Sequence, residues 1–170
     1  MLLLGKGALA AKQLTRCFAD QGVEKRYLAV VMHADQAAGA LNLWLRKTLH
    51  GGEERMAIAP AHAQGAQEAI TRFEVLARSP AAVLLSLSPQ TGRTHQLRAH
   101  CAHVFGGIFG DGKYGAACSR AKGLLLHAWH LRFLHPHTGA LLEIEAPVSA
   151  MFSEHLTDLG LEIPQTWTPL

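Results

Sequence analysis

The chain opens on a helical pattern and then changes period. Ala10, Leu14, Cys17 and Phe18 recur at i, i+4, i+7 and i+8, which predicts an amphipathic helix over residues 8–21 with Gly22 placed to stop it. Residues 26–32, RYLAVVM, form an apolar run too short for a helix and rich in β-branched and aromatic side chains, so a buried strand is expected there. Leu41, Leu43 and Leu45 alternate with Asn42, Trp44 and Arg46, the period of a half-buried strand. Thr71, Phe73 and Val75 alternate again, as do Val83, Leu85 and Leu87 before Pro89. Between these strands, HGGEE (50–54) and AHAQGAQ (61–67) read as polar, glycine-bearing connections.

After the turn at 89–92 the period returns to that of a helix. Thr94 is the expected cap of a helix running to about Val104, with Leu97, Cys101, Val104 and Phe105 on one face. A glycine-dense loop fills 106–115. Two further strands are expected at 124–133 and 141–146, joined by His135-Pro136-His137-Thr138-Gly139, and a closing helix at 150–159. Strands come in groups with short links instead of alternating with helices. That order predicts an α+β fold: a mixed, largely antiparallel sheet with flanking helices.

Composition narrows the setting. With 170 residues, 49% hydrophobic and 17% charged, the chain is long and apolar enough to build a core, so disorder is excluded. No apolar run approaches the roughly 20 residues of a membrane span. The initial Met-Leu-Leu-Leu is too short for a signal sequence. Three widely spaced cysteines, Cys17, Cys101 and Cys118, point to a reducing, cytoplasmic setting without disulfides. A net charge of +3 permits a nucleic-acid partner without demanding one.

Three segments offer chemistry. The loop GGIFGDGKYG (106–115) lacks the Gly-Lys-Ser/Thr ending of a phosphate-binding loop, and no strand leads directly into it, so turns that exploit glycine are the better reading. Eleven histidines invite a metal, but no recognised ligand spacing completes a site, and neither a metal nor a cofactor is expected. The segment 91–100, TGRTHQLRAH, differs in kind. It gathers Arg93, His95, Gln96, Arg98 and His100 around a helix start, where backbone N–H groups are also free. Two guanidinium forks among them suit an anionic ligand.

This segment resembles the G-R-T/S-H-Q-I/L-R-x-H motif of the RluA-type family of RNA pseudouridine synthases. The likeness continues in order along the chain. Lys25–Val31 is similar to K-x-Y-L-A-x-V, Ala69–Val75 to A-x-T-x-F/Y-x-V, and Ile108–Asp111 with Tyr114-Gly115 to I-x-G-D-x-x-Y-G. Leu124–His127 with His135-Pro136 and Glu145-Ala146-Pro147 match the later L-L-L-H-A, H-P and E-A-P blocks. Gly51-Gly52-Glu53-Glu54-Arg55 looks closest to the large-subunit ribosomal RNA members called RluC.

The resemblance implies an isomerase that breaks the uridine N-glycosidic bond, turns the base and rejoins it through C5, with large-subunit ribosomal RNA as partner and no cofactor. It implies Tyr27 stacked on the flipped uracil and able to take the C5 proton, Arg98 paired with the catalytic carboxylate, and Arg93, His95 and Gln96 in contact with RNA. One departure stands out. The family's catalytic aspartate lies in H-R-L-D-x-x-T-S-G, just before an apolar strand that Met1–Lys6 resembles, and none of the four aspartates here, Asp20, Asp35, Asp111 and Asp158, has that context. Residues 1–170 are therefore expected to be one partial catalytic domain, inactive as given, with Arg98 left unpaired and able to hold a sulfate or phosphate. The alternative is a non-catalytic RNA-binding domain of the same fold.

Overall fold

The computed structural model describes residues 1, 3–19, 22–115 and 121–164. In chain order these form α1 (Ala8–Ala19), β1 (Val23–Val31), β2 (Ala38–His50), β3 (Glu53–Ala59), β4 (Ala66–Arg78), β5 (Val83–Pro89), α2 (Gln96–Val104), β6 (Leu126–Leu134), β7 (Leu141–Glu145) and α3 (Ala150–Asp158). The strands make one seven-stranded sheet in the order β3-β2-β4-β5-β1-β6-β7, every neighbouring pair antiparallel. The α+β class read from the strand grouping holds.

The register explains the run at the end of β1. Tyr27 pairs with Leu87, and Leu87 with Phe73, so these three side chains form one row across β1, β5 and β4. The face they share carries α2, whose Leu97, Cys101 and Phe105 are buried against it; Phe105 meets Phe73 edge-on with ring centroids 5.0 Å apart. The opposite face carries α3, whose Phe152 reaches His127, the strand partner of Leu28. Leu28, Ala29, Val30 and Val31 are all fully buried because helices and loops cover both faces there. A strand covered twice loses its alternation and reads as continuous apolar sequence.

Helix α1 lies on the α2 face, farther along the sheet. Its Leu14 and Cys17 pack with Val23, Leu131 and Phe133, and Val23 has the same strand parity as Lys25 and Tyr27. Gly22 closes the helix by donating its N–H to the Cys17 carbonyl at 3.0 Å. Phe18, expected to be buried with the rest of its face, is 40% exposed, with the Lys25 ammonium 5.8 Å from its ring centroid.

Several expectations are corrected. Residues 53–59 are a strand, not part of a connection. Gly51 and Gly52, both at positive φ, close a two-residue hairpin from β2 into β3, the geometry that a Gly-Gly pair favours. Residues 66 and 67 likewise already belong to β4. The described residues of 1–6 form no strand, although Leu3 packs on Val23, Leu131 and Phe133. Helix α2 begins one residue beyond the expected cap: its N-cap is His95 in the left-handed region (φ 50°, ψ 23°), with no side-chain cap bond. Asp20, Gln21 and Cys118 lie outside the described residues. Among the described residues, no helix is long and apolar enough to cross a membrane, and no cluster of three histidine, cysteine or acidic side chains could hold a metal ion.

Candidate active site

The turn from β5 into α2 is built around one amide. Pro89 ends the β5 ladder because it has no N–H to donate. The chain then folds back over β4: the Gln90 N–H reaches the Ile70 carbonyl, and the Ile70 N–H reaches Thr91 Oγ1, both at 2.9 Å. Gln96 Nε2 donates to Ile70 O at 2.9 Å and Thr71 Oγ1 at 3.0 Å, while its Oε1 accepts from Thr91 Oγ1 at 2.7 Å and from Arg93 N at 3.0 Å. Every hydrogen-bonding position of that amide is used inside the protein. Gln96, expected on the RNA, is instead buried and ties α2 to β4.

Once this tie is made, the side chains flanking it converge. Lys25 and Tyr27 of β1, Arg93 of the turn, and His95, Gln96, Leu97 and Arg98 at the start of α2 line one cleft of about 320 Å³, with Leu126 of β6 at its edge. Tyr27, Arg93, His95, Gln96 and Arg98 thus share one cavity, Gln96 as part of its wall, whereas His100 is buried within α2 and does not line it. Lys25 joins them as a residue that the sequence marks only through its likeness to K-x-Y-L-A-x-V. Its place two residues before Tyr27 on the same strand puts both on one face, and that period is the signal that could have found it.

Arg98 is not unpaired. Its Nε donates to Asp111 Oδ2 at 2.8 Å and its Nη2 to Asp111 Oδ1 at 2.7 Å, a bidentate pair. The Asp111 side chain is completely buried, and Oδ1 also accepts from Lys113 N at 3.0 Å and Tyr114 N at 2.9 Å. Burial by itself would raise the Asp111 pKa, but the Arg98 bonds and the two backbone N–H groups outweigh it and hold the carboxyl below its ordinary value. The same side-chain bonds raise the Arg98 pKa, so the pair stays ionised. A guanidinium has five N–H donors, and Asp111 takes two. Among the described residues the outer edge of Arg98, Nη1 with one hydrogen of Nη2, has no protein acceptor and is left for a second anion.

Tyr114 completes the frame. The Arg98 guanidinium lies 5.0 Å from its ring centroid, a cation–π contact. The Tyr114 hydroxyl accepts the Met56 N–H at 2.8 Å and lies 3.0 Å from His95 Nδ1. Desolvation and then the charges of Arg98 and Lys113 lower the His95 pKa, so His95 is neutral at pH 7 and can accept the Tyr114 proton. The Asp111 loop depends on glycine at one point above all: a Cβ on Gly110, at φ 75°, would sit 1.8 Å from the Gly123 carbonyl oxygen.

The remaining two residues keep their chemistry available. Arg93 is exposed and uses Nε on the Glu68 carbonyl at 3.0 Å, which steadies the side chain and leaves its terminal nitrogens free of protein hydrogen bonds among the described residues. Tyr27 is half-buried, and that burial raises its pKa. Its resting form is therefore the neutral phenol, a stacking face with a hydrogen-bond donor at the tip.

Comparison with known proteins fits this geometry. Residues 1–103 match the RNA pseudouridylate synthase family. The chain belongs to that family. It is 34% identical over 167 residues to the ribosomal large subunit pseudouridine synthase C of Vibrio cholerae serotype O1, covering 94% of this chain and 51% of that protein. It is also 34% identical over 185 aligned positions to the tRNA pseudouridine synthase C of Salmonella typhimurium, covering 94% of this chain and 68% of the relative. The chain spans about half the length of the ribosomal relatives it matches. The family fold recurs in human RNA Pseudouridylate Synthase Domain Containing 1, with a TM-score of 0.72 at 25% identity, over 94% of this chain and 75% of that one.

Proposed function

We propose that the cleft between β1 and the start of α2 is the uridine site of an RNA pseudouridine synthase acting on large-subunit ribosomal RNA in the cytoplasm. The observation that carries this reading is the convergence of Tyr27, Arg93, His95 and Arg98 on one cavity, together with the unused outer edge of Arg98. A flipped-out uracil stacks on the neutral phenol of Tyr27. Arg93 and Lys25 take the phosphates beside it, in the salt-dependent manner of RNA backbones. The outer edge of Arg98 holds the carboxylate that attacks or deprotonates the nucleoside. In the reaction the C1′–N1 bond breaks, the base turns, the C1′–C5 bond forms, the C5 proton leaves and N1 gains one, so no co-reactant is consumed.

That carboxylate is not supplied by the described residues of this chain. Asp35 and Asp158 are exposed and line no part of the cleft, and Asp111 is committed to the inner edge of Arg98. The chain as given accordingly binds uridine-containing RNA without isomerising it. Incubation with ribosomal RNA, followed by nucleoside analysis for pseudouridine alongside a binding titration, tests this: binding without product is expected. Product formed by the purified chain would contradict the inactive reading, and absence of binding would contradict the site.

A second reading, a non-catalytic RNA-binding domain, is favoured by a cleft lining that contains no aspartate among the described residues. The two readings part on the coding sequence ahead of Met1, where an in-frame H-R-L-D supports the enzyme and its absence supports the binding domain.

A further inference from the structure

The sheet face opposite the uridine cleft holds a concavity of about 570 Å³, whose lining includes Glu24, Arg26, Arg72, Glu74, Ser86 and Ser88. Strand parity explains the set. Tyr27, Leu87 and Phe73 form the row beneath α2, so the residues on either side of each turn to the α3 face. No described residue of α3 lines this stretch, and polar side chains suit a sheet face left to water.

The charges on this face are unevenly matched. Arg72 is the strand partner of Ser88, and the register that pairs Tyr27 with Leu87 brings Arg26 to the other side of the same serine. The two arginine positions thus stand roughly 10 Å apart, two strand spacings, with a hydroxyl between them. Neither guanidinium has an ion-pair partner among the described residues. Glu24, two positions along β1 from Arg26, is held by Arg132 Nη1 at 3.0 Å. Ser88 Oγ accepts a long bond from Gln90 Nε2 at 3.4 Å and keeps its own proton to donate.

We infer that this concavity binds a small phosphomonoester, with the phosphate over Ser88 between Arg26 and Arg72. A phosphomonoester presents three terminal oxygens, one for each guanidinium fork and one for the hydroxyl, and such charge-assisted bonds are the strong ones. A carboxylate or a phosphodiester presents two. Glu24 and Glu74 narrow the class further. Each lies two residues from an arginine on the same strand face, roughly 7 Å along, so a nucleic-acid strand would bring its next phosphates against carboxylates. A single phosphate on an uncharged, hydroxyl-bearing body meets no such repulsion, and its hydroxyls can donate to the same two acids. The site is independent of the uridine cleft, which lies across the sheet.

The probe is ribose 5-phosphate, which has no base to stack on Tyr27; ribose and dimethyl phosphate are the controls. Each is titrated into the intact chain while amide chemical shifts are followed by NMR, and affinities are measured for the wild type, Arg26→Gln and Arg72→Gln, with thermal unfolding as a control for folding. Ribose 5-phosphate should give saturable shifts at residues 26, 72, 86 and 88. Each substitution should weaken it ~tenfold, the worth of a charge-assisted bond. Dimethyl phosphate should bind ~tenfold more weakly than the monoester, and ribose should give no shift. Shifts confined to residues 93–98 would place the phosphate in the uridine cleft and overturn the inference while leaving the proposed function standing. Absence of saturable shifts at the four back-face positions, or equal binding of the diester, would overturn it as well.

Discussion

Arg98 and Asp111 are joined through two bonds of 2.8 and 2.7 Å, and the aspartate side chain is wholly buried while the arginine keeps 21% of its surface. They lie thirteen positions apart, with the rest of α2 and the start of the glycine-rich loop between them. The pair fixes which edge of the guanidinium faces the cleft, and so what Arg98 can hold.

Removing one partner of such a pair strands the other. Arg98→Ala leaves the buried Asp111 carboxylate with only two backbone N–H groups, and should lower unfolding stability by ~3 kcal/mol at pH 7. Asp111→Asn should cost less, because the amide keeps one acceptor oxygen and the partly exposed Arg98 can turn to water. Chemical denaturation of the two variants checks the order; equal stability of Arg98→Ala and wild type would remove the pair from the account of the fold.

His100 sets the acid side of the stability curve. It is 1% exposed, neither ring nitrogen has a partner among the described residues, and burial lowers its pKa from 6.5 to about 4. Between those values the unfolded chain binds a proton that the folded one refuses. The contribution is fully present above pH 6.5 and is lost as pH falls toward 4, by about 3 kcal/mol in all. Asp111, whose folded pKa is depressed, adds a further loss as pH falls below its ordinary value of 3.8. His100→Leu, similar in size and without polar atoms, should flatten the slope between pH 4 and 6.5 and match or exceed the wild type at pH 5. Denaturation midpoints across that range measure it.

Gln96 predicts a loss of architecture before a loss of affinity. Gln96→Leu keeps the volume but removes all four bonds of the amide, leaving Arg93 N without its acceptor and Thr71 Oγ1 without its donor, while Ile70 O and Thr91 Oγ1 keep their backbone partners, for a cost of ~3 kcal/mol. Hydrogen exchange should rise first at 90–96, the turn that the amide holds. Unchanged protection there would contradict its role as the tie.

Tyr27 separates stacking from proton transfer. Tyr27→Phe keeps the ring and should bind uridine-containing RNA within about twofold of wild type, whereas Tyr27→Leu should lose ~1–3 kcal/mol of affinity, the worth of one base stacked on an aromatic ring. Fluorescence anisotropy with a short labelled RNA distinguishes the two. Equal loss in both variants would shift the weight from the ring to the hydroxyl.

Much of this was legible in the order of residues. The period of Leu97, Cys101 and Phe105 located α2 and its buried face, and the TGRTHQLR segment marked the cleft because so many donors at one helix start have no packing reason. What was not legible depended on contacts distant in sequence. The strand β3 was passed over because ERMAIA does not alternate cleanly, although the Gly51-Gly52 pair signals a two-residue hairpin. Gln96 looked like a surface donor because nothing in its neighbourhood shows that β4 would pass beneath it. Arg98 looked unpaired because its partner arrives from a loop whose fold rests on glycines such as Gly110.

The central claim is that uridine occupies the Tyr27–Arg98 cleft, and photocrosslinking tests it most directly. A short RNA carrying a single 4-thiouridine is irradiated with the chain, and the attached peptide is identified by mass spectrometry. The account predicts attachment at Tyr27 or within residues 93–98, reduced in Tyr27→Leu. Attachment confined to the opposite face of the sheet, with none in the cleft, would contradict it.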